Sequence, residues 1–328
     1  MGRVMTIAGV ITHNIFAQRV LTVMERNAIG FPIKRQFYFW GAQGPDFFYY
    51  YRPEKGGAHD ELMNKIGLAF HRNHICDTMM LMSEFAKEYT TYSNSAMSYI
   101  AGFLTHYALD SASHPFVNSA VRRFREQNDF SGGDDILQTR IMTMLDSLIY
   151  SREIKGKKSQ PKIGQLLPDV KNIELFASKL YSKLIYEMFS LGNMDSKIKK
   201  AFNDMYKFTK KARDPLGIKL PLIYAYESAI RKEHKCSSRM MPRKVAADFD
   251  YANKWNSEWS NLYDRESHVR VESFFDIFGD TVADAYEYIA GFMNFHERGS
   301  DLHQYMRCLS MDKGIYSTEI VTNEWLVK

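Results

Sequence analysis

The stretch His106-Tyr-Ala-Leu-Asp110-Ser-Ala-Ser-His114-Pro115 places two imidazoles and a carboxylate four residues apart. In a helix, steps of four return side chains to nearly the same face. Neutral imidazole with carboxylate is a donor set for zinc and similar divalent ions, so the pattern points to a metal centre. Three buried polar residues satisfied by hydrogen bonds would give the same spacing, and that reading stays open at this level. Proline disfavours the helical conformation in the residue before it. His106 and Asp110 are therefore expected on the last turns of a helix. His114 is expected at or just past its end, able to turn toward a second metal.

Of the chain's ten histidines, six fall at or before residue 114: His13, His59, His71, His74, His106 and His114. Thr12-His13 stands just before an apolar-periodic stretch (Ile15, Phe16, Val20, Leu21) that reads as a helix. Gly41-Ala-Gln-Gly44-Pro45-Asp46 is a turn-rich loop ending in a carboxylate. Phe70-His71 lies in another helical pattern. The four remaining histidines, His234, His268, His296 and His303, show no ligand spacing and read as surface or locally hydrogen-bonded residues.

The elements that must position these groups are helical. Periodicity of 3.6 marks Ala120–Glu126, Ile173–Ser190, Asp195–Arg213 and Phe274–Phe295, and few runs alternate as strands do. The expected fold class is all-α, as a single helical unit over residues 1–328. A metal-binding half would run to about 152, a basic loop would span about 153–170, and a helical half about 171–328. The length suffices for a sizeable core. A hydrophobic content of 45% and a charged content of 25% are those of a soluble globular protein. Met79, Met80 and Met82 read as adaptable core packing. Trp255 and Trp259, four apart, are expected to share a helix face.

No stretch reaches about 18 uninterrupted apolar residues, so no membrane-spanning helix is expected. Arg3 precedes only a short apolar run, Val4–Ile11, without a convincing cleavage site. Gly2 with Thr6 fits a lax myristoylation pattern, read here as chance. Cys76, Cys236 and Cys308 are few, odd in number and far apart, which argues against a disulfide framework and for a reducing, cytoplasmic setting. The net charge of +5 is uneven. A basic stretch, Lys155 to Lys162, is followed by clusters over Lys197–Arg213 and Arg231–Lys244. A solvated face is the ordinary meaning of such runs. They could also attract phosphate-rich partners, with peripheral contact to an anionic membrane among them. Few interleaved aromatics disfavour single-stranded nucleic acid.

Thr12-His13, Gly41-Ala-Gln-Gly-Pro-Asp46, His71, and Tyr99-Ile-Ala-Gly-Phe-Leu-Thr-His106 through Pro115 together resemble the bacterial zinc-dependent phospholipase C family. That family is similar in fold and metal site to the S1/P1 nucleases. The resemblance is strongest over about the first 150 residues. Further on, Trp255 to Trp259 and Val271-Glu-Ser-Phe-Phe-Asp276 look like the family's terminal region. The resemblance implies an all-helical enzyme with up to three zinc ions. Asp46, His71, His106 and Asp110 would bind the first, and His13 with a bridging Asp110 the second. His114 would begin a third site. His71 is preferred over His59 and His74 because it follows an apolar residue.

Two departures accompany the match. Where the family places His-x-x-x-Glu on a later helix, this chain has Gln138 and Met142, and a thioether is a poor zinc ligand. Asp134, Asp135 or Asp146 could compensate. Secreted relatives also use a mature terminal tryptophan as a ligand, whereas this sequence starts Met-Gly-Arg. One or two zinc ions are therefore expected rather than three. The implied chemistry is hydrolysis of a phospholipid head-group phosphoester, with divalent metal lowering the pKa of a bound water to about 7. Asp46 would both ligate and orient or deprotonate that water. The aromatic run Phe47, Phe48, Tyr49, Tyr50 and Tyr51 could line a pocket for a choline-like cation or pack into the core. A silent binding protein with a degraded site, or a nuclease on the same fold, are the alternatives.

Overall fold

Helical periodicity becomes ten α-helices among the described residues. The structure is a computed structural model and describes residues 9–52, 61–128, 130, 132–154, 160–162, 167–230, 233–317 and 326. The helices are α1 (Val10–Arg26), α2 (Arg35–Gly41), α3 (Glu61–Arg72), α4 (Ile75–Glu88), α5 (Ser93–Gln127), α6 (Asp134–Glu153), α7 (Ile173–Phe189), α8 (Asp195–Ala212), α9 (Lys219–Ala229) and α10 (Phe274–Arg298). A 3-10 turn, Asp46–Tyr50, follows α2. Extended pairing among the described residues is confined to one antiparallel bridge, Trp259 with Arg270. The fold is all-α, as the periodicity predicts. Residues 1–8, His59 and Lys155–Ser159 of the basic loop lie outside the described residues.

The central element is α5, 35 residues long, and every residue from Ala96 to Asp110 is buried, as in a helix surrounded by others. α2 crosses it at backbone contact. A Cβ on Gly102 would stand 2.0 Å from the Tyr38 carbonyl oxygen, so only glycine permits this crossing. α10 packs along α5 and α1, with Phe278 set edge-on to Phe16 and Phe274 against Phe116. One hydrophobic cluster runs through these helices. Alone of the ten, α9 gives it no residue.

Pro115 does not end the helix. α5 continues twelve residues past it to Gln127, which corrects the expectation for His114. The proline ring and the Ser111 carbonyl, whose helical donor it removes, lie against Gly314 of the C-terminal segment. Buried flanks on both sides, Phe116, Val117 and Ala120 among them, hold the helix through a locally unfavourable residue.

Of the two roles left open for the aromatic run, Phe47, Phe48, Tyr49 and Tyr50 take core packing, set on Phe70, Tyr181, Phe202 and Phe208, and Tyr50 also lines a cavity with Phe208 and Arg213. Two further expectations change. Trp255 and Trp259 share no helix, because Asn253 and Asn256 take left-handed backbone between α9 and α10. Trp255 is exposed, while Trp259 is buried under the Arg270 guanidinium. Cys76 and Cys308, far apart in sequence, have their Cα atoms 5.6 Å apart and form a disulfide. This pairing corrects the reading of unpaired thiols, and Cys236 alone stays free. No described helix is long and apolar enough to cross a membrane.

Candidate metal centre

Four separate segments deliver the six sequence-predicted residues to one place. α5 supplies three: His106, Asp110 and His114 rise on one face in successive turns. Asp110 stands in the middle. Its Oδ2 lies 3.1 Å from His106 Nε2, and its Oδ1 lies 3.2 Å from His13 Nε2 and 3.5 Å from His114 Nε2. One carboxylate thus faces three imidazoles, all almost fully buried.

His13 comes from the first turns of α1. That helix start is fixed by Asp146 of α6. Its Oδ1 accepts hydrogen bonds from Thr12 N–H (2.8 Å) and the Thr12 hydroxyl (2.6 Å), and its Oδ2 accepts from Gly9 N–H (3.2 Å). Amide groups left over at a helix N-terminus need such an acceptor, and the positive helix end favours an anionic one. Asp146 is therefore engaged and does not replace a missing ligand. Its part is to set the position of His13.

Asp46 opens the 3-10 turn after the Gly41–Pro45 loop. Gly44 has φ +51°, and a Cβ there would lie 2.1 Å from His106 Cδ2. The loop can lie on the His106 ring only because that residue is glycine. His71 ends α3. Its Nδ1 is 2.7 Å from the Gly67 carbonyl oxygen and 3.2 Å from the Tyr49 hydroxyl. The carbonyl can only accept, so Nδ1 carries a proton and the Nε2 of a neutral His71 presents a lone pair. That Nε2 points at Asp46 Oδ1 across 3.1 Å. A lone pair facing a carboxylate calls for a proton or a cation between them.

The donor atoms form two overlapping groups, His13–Asp46–His106 and His71–His106–Asp110, each within 4.8 Å. His13 Nδ1 and both ring nitrogens of His106 and of His114 are buried without a hydrogen-bond partner among the described residues. Buried polar atoms are ordinarily satisfied. Orphaned imidazole nitrogens around shared carboxylates fit a divalent cation better than a closed hydrogen-bond network.

Electrostatics separates the histidines. Burial pushes His106 down to about 3, so it is neutral and able to donate a lone pair. Burial also opposes the charge on His114, but Asp110 and Asp312 outweigh it and hold its pKa at about 9. His13 is likewise raised against its burial by Asp110. Burial alone would raise Asp110, yet His106, His114 and His13 bring it far below the usual carboxylate range.

Asp312 is the group that the sequence reading missed. It lies 4.0 Å from His114 Nδ1 and accepts a 2.6 Å hydrogen bond from Arg72 Nε. It comes from the segment after α10, where Met311 N–H also donates to the His71 carbonyl at 2.7 Å. No motif or spacing marks it. Gln138 lines an open cavity of about 380 Å³ with Arg72, Asn118 and Asp312. Met142 shares a cavity of about 20 Å³ with His13, Asp110 and Ser113. Neither supplies a zinc donor of the expected kind, and Asp134 is paired with Arg125. His74 lies outside the cluster and pairs with Asp77.

A second group, Cys76, His303 and Cys308, also gathers potential donors, but its two sulfurs are bonded to each other. No curated protein matches the chain significantly. No solved structure does so either. The family model for zinc-dependent phospholipase C matches residues 12–207, a span that holds His13, Asp46, His71, His106, Asp110 and His114. With more than half of its length under that match and an all-helical fold around it, the chain belongs to the zinc-dependent phospholipase C family.

Proposed function

We propose that this protein is a zinc-dependent phosphodiesterase that hydrolyses the head-group phosphoester of a phospholipid. The observation that carries the reading is Asp110, one buried carboxylate shared by His13, His106 and His114, with His13 Nδ1 and both ring nitrogens of His106 and His114 lacking a hydrogen-bond partner among the described residues. Asp46, His71, His106 and Asp110 would hold one zinc. His13 and Asp110 would hold a second, and His114 lies beside them. Bound zinc would supply charge neutralisation at the phosphoryl oxygens and a more acidic water.

The chain's own residues would do the rest. Asp46 is the most open of the six, with its side chain 13% exposed, and would face the incoming water as general base. The Gly67 carbonyl fixes the His71 tautomer, and His71 in turn orients Asp46. Asp146 holds α1 so that His13 reaches Asp110.

A second reading, a silent relative that keeps fold and metal as a binding module, is favoured by Met142. It closes the side of His13 and Asp110 to a space for one water. The deciding experiment pairs zinc analysis with turnover of a chromogenic phosphocholine ester, phospholipid vesicles and single-stranded DNA. One or two zinc ions per chain with lipid turnover is the expected result. Zinc without turnover supports the silent relative. Turnover of DNA alone refutes the lipid substrate.

A further inference from the structure

We infer that α9 and its flanks form a docking surface for an anionic phospholipid bilayer. The helix is built inside out. Ile218, Leu222, Tyr226 and Ile230 follow at steps of four and so line one face. With Leu216 and Tyr224 they are exposed by between 40% and 72%. The one buried residue of the helix is a carboxylate, Glu227. An amphipathic helix of a globular protein buries the opposite set, and contiguous exposed apolar surface marks an interaction site.

The helix is nevertheless held in place. Glu227 accepts hydrogen bonds from Cys236 N–H (2.7 Å), Ser237 N–H (3.1 Å) and the Ser237 hydroxyl (2.6 Å). At the other end Asp214 accepts from Ile218 N–H (3.1 Å) and Leu220 N–H (2.9 Å). Polar anchors at both ends thus present the apolar stripe outward instead of letting it pack.

Charge selects the occupant. Between residues 207 and 244 eleven side chains are Lys or Arg, and three are acidic. Two of those three, Asp214 and Glu227, are consumed by the anchors, and Glu233 pairs with Lys235. Lys210, Lys211 and Lys219 are exposed close by in sequence. A second copy of this surface would bring like charge against like. An anionic bilayer takes up the apolar residues and the cations together, and tyrosine suits its interface. Arg213 and Arg239, which flank the segment, line a cavity with Gly9 and Asp146, the residues that start α1, so the surface adjoins the elements of the metal centre. The inference rests on a phospholipid being the substrate class.

The test is sedimentation of the zinc-loaded protein with vesicles of phosphatidylcholine, with and without 30% (about one lipid in three) phosphatidylserine. Turnover of the soluble chromogenic ester is measured alongside. Partition at least about tenfold stronger with the anionic lipid, and weakened by salt, is expected. Leu222→Ser with Tyr226→Ser should lower it by a similar factor at unchanged ester turnover and helix content. Lys210→Glu with Lys211→Glu, in the last turn of α8 and outside α9, should do the same. Unchanged partition in both variants overturns the inference. So does a dimer in solution that the Leu222/Tyr226 variant dissociates. Vesicle binding without ester turnover would leave the surface standing and bring down the phosphodiesterase reading instead.

Discussion

Asp110 holds its neighbours by charge, and its replacement separates charge from shape. Asp110→Asn keeps the side-chain volume but removes the anion that three imidazoles face. Zinc content should fall, and turnover should drop by at least about a thousandfold, a barrier increase of about 4 kcal/mol. His114 gives a second handle. A histidine in an unfolded chain titrates near pH 6.5, whereas Asp110 and Asp312 raise His114 to about 9. In the metal-free chain its stabilisation is therefore complete below about pH 6.5 and is lost as pH climbs through about 9. A ligand must shed that proton, so zinc affinity should rise about tenfold per pH unit between 7 and 9 if one proton is displaced. Titration calorimetry in buffers of differing ionisation heat would register the release, and a flat affinity would exclude His114 as a ligand. Five of the six residues stood in recognisable motifs or spacings, and His71 followed from its apolar neighbour. Asp312 was illegible because a lone carboxylate in a polar segment carries no periodicity. Only folding brings it to His114 and Arg72.

At the scale of elements, the centre depends on backbone approach as much as on donors. The Gly41–Pro45 loop rests on the His106 ring through Gly44. Gly44→Ala adds a carbon where none fits and strains a left-handed backbone, a cost of about 1–3 kcal/mol. Thermal melting should register that loss, and zinc content should fall because Asp46 follows two residues later. An unaltered melting temperature with full zinc would mean that the loop does not position Asp46. α5 shows why the helix end was misread. Rules for residues beside proline describe a chain free to choose, and here packing on both sides of Pro115 decides. Helix periodicity was legible because apolar spacing reports burial directly. The stretch between α9 and α10 was not, since its left-handed asparagines and the Trp259 bridge leave no repeating signal.

Over the whole molecule, the cysteine count misled because parity and spacing say nothing about proximity. The Cys76–Cys308 disulfide spans 232 residues and ties the segment that carries Asp312 to the start of α4. Cys308→Ser should lower stability by about 2–5 kcal/mol, read by denaturant unfolding with and without reductant. Equal stability of variant and wild type would mean that the bond does not form in solution. Family likeness and folding unit also have different limits here. Kinship is read in residues 12–207, yet the His71 carbonyl is met by Met311, His114 by Asp312, and the flank of α5 by α10. A fragment cut at the border of likeness would keep all six candidate ligands and lose the wall behind them. What family likeness marks in this chain is only part of the unit that packs around the centre.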